Sequence, residues 1–282
     1  MKYTIKNFKK QFATQDDCLN YIFRHRFGTK FVCPSCSKSS WHKVRGRKVW
    51  ACAYCAYQIH PLAGTIFRKS NTDLTLWFFA IYKFANSRNG VAAKELQRDL
   101  GVTYKTAWRI AKQIRALMGS DDILSGIVEV DEGFIRTGSK KKKSLSKTAV
   151  LIERGGKARA FNMSSSKFFN TIPVIKQTVA AGSMVITDGA SVYNKKKLAQ
   201  YAHKSVNHSR KEYARGKIHT NTVEGFLGQI KRSIDGTYHR ISEQHLQSYL
   251  DEFSFRLSHS RSPVPMFLVL LNRLCRLPYA GS

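Results

Sequence analysis

Residues 126–135 read GIVEVDEGFI and crowd Glu129, Asp131 and Glu132 into four positions of a 282-residue chain that has 48 Lys and Arg against 18 Asp and Glu. In an extended strand side chains alternate between faces, so Ile127, Glu129 and Asp131 share one side while Val128 and Val130 share the other. Two carboxylates then stand on a face that a buried strand fills with apolar groups. Taken alone, the segment reads as a strand end meeting solvent, or as acids held by neighbouring bases.

Downstream, strand and helix patterns alternate. Strands are expected at 127–132, 147–153 and 157–162, a helix at about 166–181, and a strand SMVITD ending at Asp188. A short helix near 194–201, a strand near 204–208 and a helix at about 220–233 complete the series. Three strands, helix, strand, helix, strand, helix is the order of a ribonuclease H-like α/β domain. The segment RTGSKKKKSLSK (136–147) between the first two strands reads as a basic loop. Its Lys140, Lys141, Lys142 and Lys143 can track a phosphate backbone or simply solubilise a surface.

Upstream, Cys33-Pro-Ser-Cys36 and Cys52-Ala-Tyr-Cys55 are two C-x-x-C pairs separated by 15 residues. That spacing predicts one four-thiolate Zn²⁺ site, with HKVRGRKVWAC (42–52) as a hairpin turning at Arg45 and Gly46. Four thiolates close the coordination sphere, so this metal is structural and does no chemistry. Before it, TQDDCLNYIFRHRF (14–27) is a helix capped by Thr14 with Asp17 three residues on, and Cys18, Tyr21 and Ile22 on one stripe.

After it, DLTLWFFAIYKFAN (73–86) is apolar nearly all round and therefore buried. GVAAKELQRDLGV (90–102) and TYKTAWRIAKQIRALM (103–118), with Gly101 at their turn, form a helix-turn-helix pattern. In its second helix Trp108, Ile110, Ala111, Ile114 and Leu117 can face the core, with Lys105, Arg109, Lys112 and Arg115 outside. Those four cations are either a solvated face or a DNA-reading face, and the overall charge tips the reading toward DNA.

A net charge of +30 points to a polyanionic partner, nucleic acid in the first place. Lys and Arg run along the whole chain, unlike the single basic amphipathic helix of a membrane-surface protein. No secretory or membrane-spanning stretch is found, so a soluble cytoplasmic protein with reduced cysteines is expected. The division that follows is an N-terminal helical segment (1–30), a zinc ribbon (31–68), a helix-turn-helix domain (72–120), a ribonuclease H-like catalytic domain (125–260) and a C-terminal helical tail (261–282).

Asp131 lies late in the first strand, Asp188 ends VITD, and Glu224 sits in HTNTVEGFLGQIKRS (219–233). Each alone has a dull explanation: a turn, or a surface helix acid. Together, three clustered carboxylates in so basic a chain are tolerable only if cations hold them. Two Mg²⁺ or Mn²⁺ ions about 4 Å apart, activating the attacking oxygen and stabilising the leaving oxygen of a phosphodiester, are the use of such a cluster. On this reading the acids at 129–132 are there for the metal. Lys231, two helical turns after Glu224, can hold a phosphate beside it.

The zinc ribbon, the GTIF after it, YKTAWRI, VEVDE, ITDG, HTNTVE with its Lys231, and YLDEFSFR resemble, in that order, the DDE transposases of bacterial insertion sequences that carry an N-terminal zinc ribbon, the ISXO type. The motifs span about residues 12 to 273. The resemblance implies metal-dependent cutting and joining of double-stranded DNA at element ends, with Asp131, Asp188 and Glu224 as metal ligands and Lys231 as the following basic residue. It also implies a homo-oligomer, at least a dimer, on DNA. Members of the group can carry Asn as third ligand, which makes Asn221 the competitor of Glu224. Leu227 stands where an aromatic residue is usual, and Ser258 and His259 where Asn and a basic residue are.

Overall fold

Thr4 and Thr14 start the first two helices, α1 (Ile5–Gln11) and α2 (Gln15–Phe27). At α2 Thr14 Oγ1 accepts the Asp17 amide at 3.2 Å and Asp17 Oδ2 accepts the Thr14 amide at 2.8 Å, so two otherwise orphaned donors are satisfied reciprocally. The structure, a computed structural model, describes residues 3–138, 143–163, 171–188, 190, 193, 196–206 and 214–276. The chain divides into two units, one of Met1–Ser87, Ala93–Leu117 and Pro263–Ser282, the other of Arg88–Ala92 and Met118–Ser262.

In the first unit a small antiparallel sheet follows: β1 (Trp41–Lys43), β2 (Trp50–Cys52) and β3 (Gln58–Ile59). Its hairpin turns where expected, with Gly46 at φ 72° and Val44 and Val49 bonded across the turn. Phe23 of α2 stacks on Trp50, ring centroids 4.5 Å apart, which seats the sheet against the helix.

Helix α3 (Leu74–Asn86) buries Leu74, Trp77, Phe78, Ala80, Ile81 and Phe84. Helices α4 (Ala93–Leu100) and α5 (Tyr104–Ala116) follow, joined through Gly101 at φ 63°, a conformation that glycine adopts without strain.

Two α5 expectations are corrected. Arg115 is buried, 3 % exposed, with its guanidinium 5.2 Å from the Phe84 ring centre. At about 100° per residue it lies roughly 40° from buried Ala111 and about 80° from Lys105, so it belongs to the inner stripe. Trp108 is only half-buried and Ala107 takes the core position.

The second unit is a five-stranded mixed sheet with helices on both faces. Its strands are β4 (Ile127–Gly138), β5 (Lys143–Glu153), β6 (Ala158–Asn162), β7 (Met184–Thr187) and β8 (Ala202–Ser205), in the order β6-β5-β4-β7-β8. β4 runs antiparallel to β5 and parallel to β7, and β7 runs parallel to β8.

Val128, Val130, Ala149 and Leu151 face α6 (Thr171–Thr178), packing on Ile172, Val174 and Ile175. The opposite face, with Ile135, Val150 and Ile152, meets α7 (Asn221–Ser233) and α8 (Glu243–His259) through Val223, Phe226, Ile230, Leu246 and Phe253. Before α7 comes a hairpin of β9 (Ala214–Arg215) and β10 (Ile218–His219). After α7 a π-helical turn covers Ile234–Tyr238.

The first two strands are longer than expected, so the basic stretch 136–147 is mostly ladder: Arg136 pairs with Leu145 and Gly138 with Lys143. Lys143 opens β5, while Lys140, Lys141 and Lys142 lie outside the described residues. So does the first part of the helix expected from 166. Residues 196–200 are turns and not the short helix expected there.

Tyr238 Oη accepts the Val91 amide at 3.1 Å and donates to buried Glu252 at 3.0 Å. Gly90, at φ 96°, leaves room for it, since a β-carbon there would stand 1.9 Å from that oxygen.

Residues 266–275 form α9 (Met266–Cys275), and its Phe267 lies 4.7 to 6.0 Å, centroid to centroid, from Tyr3, Phe8, Phe12 and Tyr82. The segment read as a tail is core of the first unit. Among the described residues no helix is long and apolar enough to cross a membrane.

Candidate functional site

Glu129 is fully buried, and its carboxylate caps a helix. The amides of Thr222 and Val223, at the start of α7, donate to Glu129 Oε2 at 2.9 and 3.1 Å, and Thr222 Oγ1 donates to Oε1 at 2.9 Å. Thr220, the N-cap residue, makes no side-chain cap, so the strand acid does that work at the positive end of the helix dipole. Arg154 at the foot of β5 donates Nε to Glu129 Oε1 at 2.7 Å and bonds the Lys217 and His219 carbonyls at 2.6 and 3.0 Å. One ion pair, fully buried at Glu129 and half-buried at Arg154, thus fastens β4, the β9–β10 hairpin and α7 together.

Glu132 is likewise engaged in structure. Lys147 lies 2.5 Å from Oε2, Tyr193 Oη donates to Oε1 at 3.1 Å, and Thr171 also donates to it. Burial would raise its pKa, but the bonds from Lys147 and Thr171, with Lys147's charge and Tyr193's bond, outweigh that and hold it below the usual carboxylate range. Tyr193 is pushed up by burial and by the Glu132 and Asp188 carboxylates, which sets Asp188 in the same neighbourhood. The expectation that all three acids at 129–132 serve a metal is therefore corrected for Glu129 and Glu132, whose duties are a helix cap and a strand-to-helix tie.

Asp131 is half-exposed and accepts the Glu132 amide on Oδ1 at 2.8 Å. The β4–β7 ladder ends with Glu129 paired to Ile186, and Asp131 and Asp188 each lie two residues beyond that last pair. Asp188, half-exposed, begins the turn after β7, its Oδ1 accepting the Ala190 amide at 3.1 Å.

Helix α7 lies along the same face of β4. A β-carbon at Gly133 would stand 3.2 Å from Leu227 Cδ2 and 3.8 Å from Lys231 Nζ. Glu224, Leu227 and Lys231 share one side of that helix, and Glu224 is exposed with its Oε1 bonded to Thr220 Oγ1 at 2.7 Å. Leu227, in place of an aromatic, fits the gap left by Gly133. Ser258 Oγ accepts the Ala158 amide of the edge strand at 3.0 Å, a role that its short hydroxyl suits.

The structure thus places Asp131 on β4 two residues past its last pair with β7, Asp188 directly after β7, and Lys231 against β4. It does not draw the three acids to mutual ligand distance: among the described residues, the four cysteines are the one group of three or more His, Cys, Asp or Glu side chains that closes around a common centre.

In that group the ligand sulfurs all lie within 4.8 Å of one another, with Cys33–Cys55 at 3.6 Å and Cys36–Cys52 at 3.5 Å. Tetrahedral Zn²⁺ with bonds of about 2.3 Å separates its sulfurs by about 3.8 Å, so these residues fit the ion. Ser37 and Ala56, each directly after the second cysteine of a pair, take φ 58°, which wraps both loops identically around the centre. The Tyr57 amide leads in pulling the Cys55 thiol down to about 7. The Lys38 amide acts the same way on Cys36, but desolvation and the three neighbouring thiols overcome it and push Cys36 up to about 12.

Of the expected DNA contacts, Lys105 and Lys112 are exposed on α5. Arg109 is partly committed, donating to Ser70 Oγ at 3.0 Å and lying 5.5 Å from the Trp77 ring centre. Sequence reasoning missed Arg154 and the capping role of Glu129; a glutamate on a strand face that must be buried was the available signal.

Residues 123–258 match the ISXO2-like transposase domain family, and residues 13–58 match the transposase zinc-ribbon domain. A Halobacterium salinarum protein described as an uncharacterized protein in transposable element ISH50 is 25 % identical over 280 residues, covering 90 % of this chain and 94 % of its own length. An uncharacterized transposase-like protein of Haemophilus influenzae is 27 % identical over 89 residues, 32 % of this chain and 71 % of its own. With a ribbon whose cysteines fit zinc followed by that α/β domain, the chain belongs to the transposase family of insertion sequences.

Proposed function

We propose that this transposase binds the terminal inverted repeats of its element, cuts the DNA there, and joins the freed 3′-hydroxyl to target DNA. The observation that carries the reading is that Asp131 and Asp188 each lie two residues beyond the last pair of the parallel β4–β7 ladder, with α7 running beside β4. The sheet, its central β4 flanked by an antiparallel and a parallel neighbour and covered by helices on both faces, supports a ribonuclease H-like assignment. The α4–α5 pair, with Lys105 and Lys112 exposed, supports a helix-turn-helix that meets duplex DNA.

Asp131, Asp188 and Glu224 offer hard oxygen donors suited to Mg²⁺ or Mn²⁺. Two such ions, when bound, activate the attacking oxygen and stabilise the leaving one. Around them the protein's own groups position the substrate: Lys231 meets a phosphate oxygen, and Glu129 with Arg154 holds α7 at a constant height over β4. Cutting both ends of an element in concert asks for a homo-oligomer, at least a dimer, on DNA.

The test is cleavage of supercoiled DNA carrying the element ends. Nicking is expected only with Mg²⁺ or Mn²⁺. Asp131→Asn, Asp188→Asn and Glu224→Gln should each lower it by about three orders of magnitude while DNA binding survives. Full activity in Glu224→Gln with loss in Asn221→Ala would move the third ligand to Asn221. Full activity in Asp131→Asn would overturn the site.

A further inference from the structure

Past Asp131, the β4–β5 hairpin holds two large apolar side chains in solvent: Phe134 is 56 % and Leu145 64 % exposed. β4 pairs with β7 only as far as Glu129, and two grooves open further along it. One, of about 290 Å³, runs from Phe134 past Leu145 to Lys231; the other, of about 680 Å³, continues past Arg136 to His239 and Arg240. They share Arg136, Leu145 and Asp235, so together they form one trough with an apolar wall and a rim that carries three permanent cations against one acid.

Duplex DNA does not explain this combination. Its bases are stacked inward, and it offers side chains phosphates and groove edges, from which an exposed Phe and Leu gain little. A nucleotide freed from its stack has both an apolar face and an anion, and aromatic side chains flanked by basic groups are how such nucleotides are held. The trough's placement matches. Gly133, beside Phe134, is the residue against which Lys231 Nζ rests. Phe134 is three residues beyond Asp131, about 10 Å along the strand and on the other face of the pleat, and the trough, lined by both Phe134 and Lys231, reaches round the edge of β4 that β7 leaves unpaired past Glu129.

We infer that this trough binds an unpaired nucleotide next to the cleaved phosphate, its base against Phe134 and Leu145 and its phosphate between Arg136 and Arg240. The adjacency to a cleaved phosphate rests on the reading of the acids given above; the preference for an unpaired nucleotide does not.

Binding measured apart from cleavage separates the two. The full-length Asp131→Asn protein would be titrated, by fluorescence anisotropy, with a blunt duplex and with the same duplex bearing a short thymidine overhang that contains 2-aminopurine, 3′ in one probe and 5′ in another. One overhang should bind about tenfold more tightly than the blunt duplex, with quenched 2-aminopurine. Phe134→Ala with Leu145→Ser should erase that advantage and the quenching while leaving blunt affinity and the melting temperature unchanged. Arg136→Ala with Arg240→Ala should weaken overhang binding and lower its salt slope by up to about two units.

Equal affinity for blunt and overhang probes, or an advantage that survives the Phe134/Leu145 double substitution, overturns the inference. So does a double variant that alters only the self-association of the free protein, since a second copy of the chain would then be the occupant. Cleavage by the Asp131→Asn protein would sink the acid assignment and leave the overhang result to be judged by itself.

Discussion

Four cysteine sulfurs from residues 33–55 already stand within 4.8 Å of one another, whereas Asp131, Asp188 and Glu224, carried by β4, the turn after β7 and α7, close on no common point among the described residues. The chemistry of the donors accounts for the difference. Thiols can be neutral until a metal arrives, so two short loops can pack them together in advance. Carboxylates are ionised at neutral pH, and three of them drawn together without cations repel. The cysteines are fixed by their own loops, through Ser37 and Ala56. The acids are fixed from afar, through the Glu129 cap on α7 and the Arg154 clamp. A soft, closed centre is finished by its own loops; the acids stand apart on the sheet and the helix that carry them.

The largest effect that would sharpen this contrast is at the ribbon. Cys52→Ser should lower zinc from one per chain to none and remove folding free energy on the order of 10 kcal/mol from the ribbon alone. The second unit should melt unchanged. Metal analysis with unit-resolved hydrogen exchange checks both halves, and equal loss of protection in the two units would break the comparison.

Next in size is Glu129→Gln, which leaves Arg154 facing a neutral partner. It should cost about 3 kcal/mol in the second unit and loosen the first turn of α7, with zinc content untouched. If Arg154→Ala costs the same and the double variant no more, the two act as one device.

A smaller effect is expected at Glu132, whose folded pKa is depressed. Its contribution is present in full above the ordinary carboxylate range and is lost as pH falls through the lower folded value. Melting of the second unit between about pH 6 and 3 should therefore fall less steeply in Glu132→Gln. An unaltered slope would remove Glu132 from the account.

Smallest are the surface cations. Lys105→Ala and Lys112→Ala should each reduce the salt slope of DNA binding by about one unit. Arg115→Ala should instead lower stability by about 1–2 kcal/mol with the slope unchanged, because its guanidinium packs on Phe84.

What could be read in advance follows the same division. The cysteine pairs, the Thr14–Asp17 cap and the alternation of Val128 and Val130 with Glu129 and Asp131 are local, and local spacing reveals them. Glu129's true partners lie 25 and 93 positions away, at Arg154 and Thr222, and no periodicity announces such a pairing. Residues 143–146 look like loop because polar strands that project from a sheet lose the apolar alternation by which strands are recognised. Arg115 misled because a helix of four turns drifts, and a cation on the margin of the inner stripe goes inward when a ring is there to receive it.

The return of α9 to the first unit has a consequence for the timing of synthesis. The aromatic faces of α1 and α3 are covered by Phe267, which leaves the ribosome 181 positions after Asn86. At about 5–20 residues per second, that is roughly 9 to 36 s during which Phe8, Phe12 and Tyr82 lack one of their packing partners. The whole second unit is made in the interval and is free to fold first. A nascent chain halted after α8 would hold a finished α/β domain behind an unfinished aromatic core, and that half-built face is the one a chaperone or a neighbouring chain would meet.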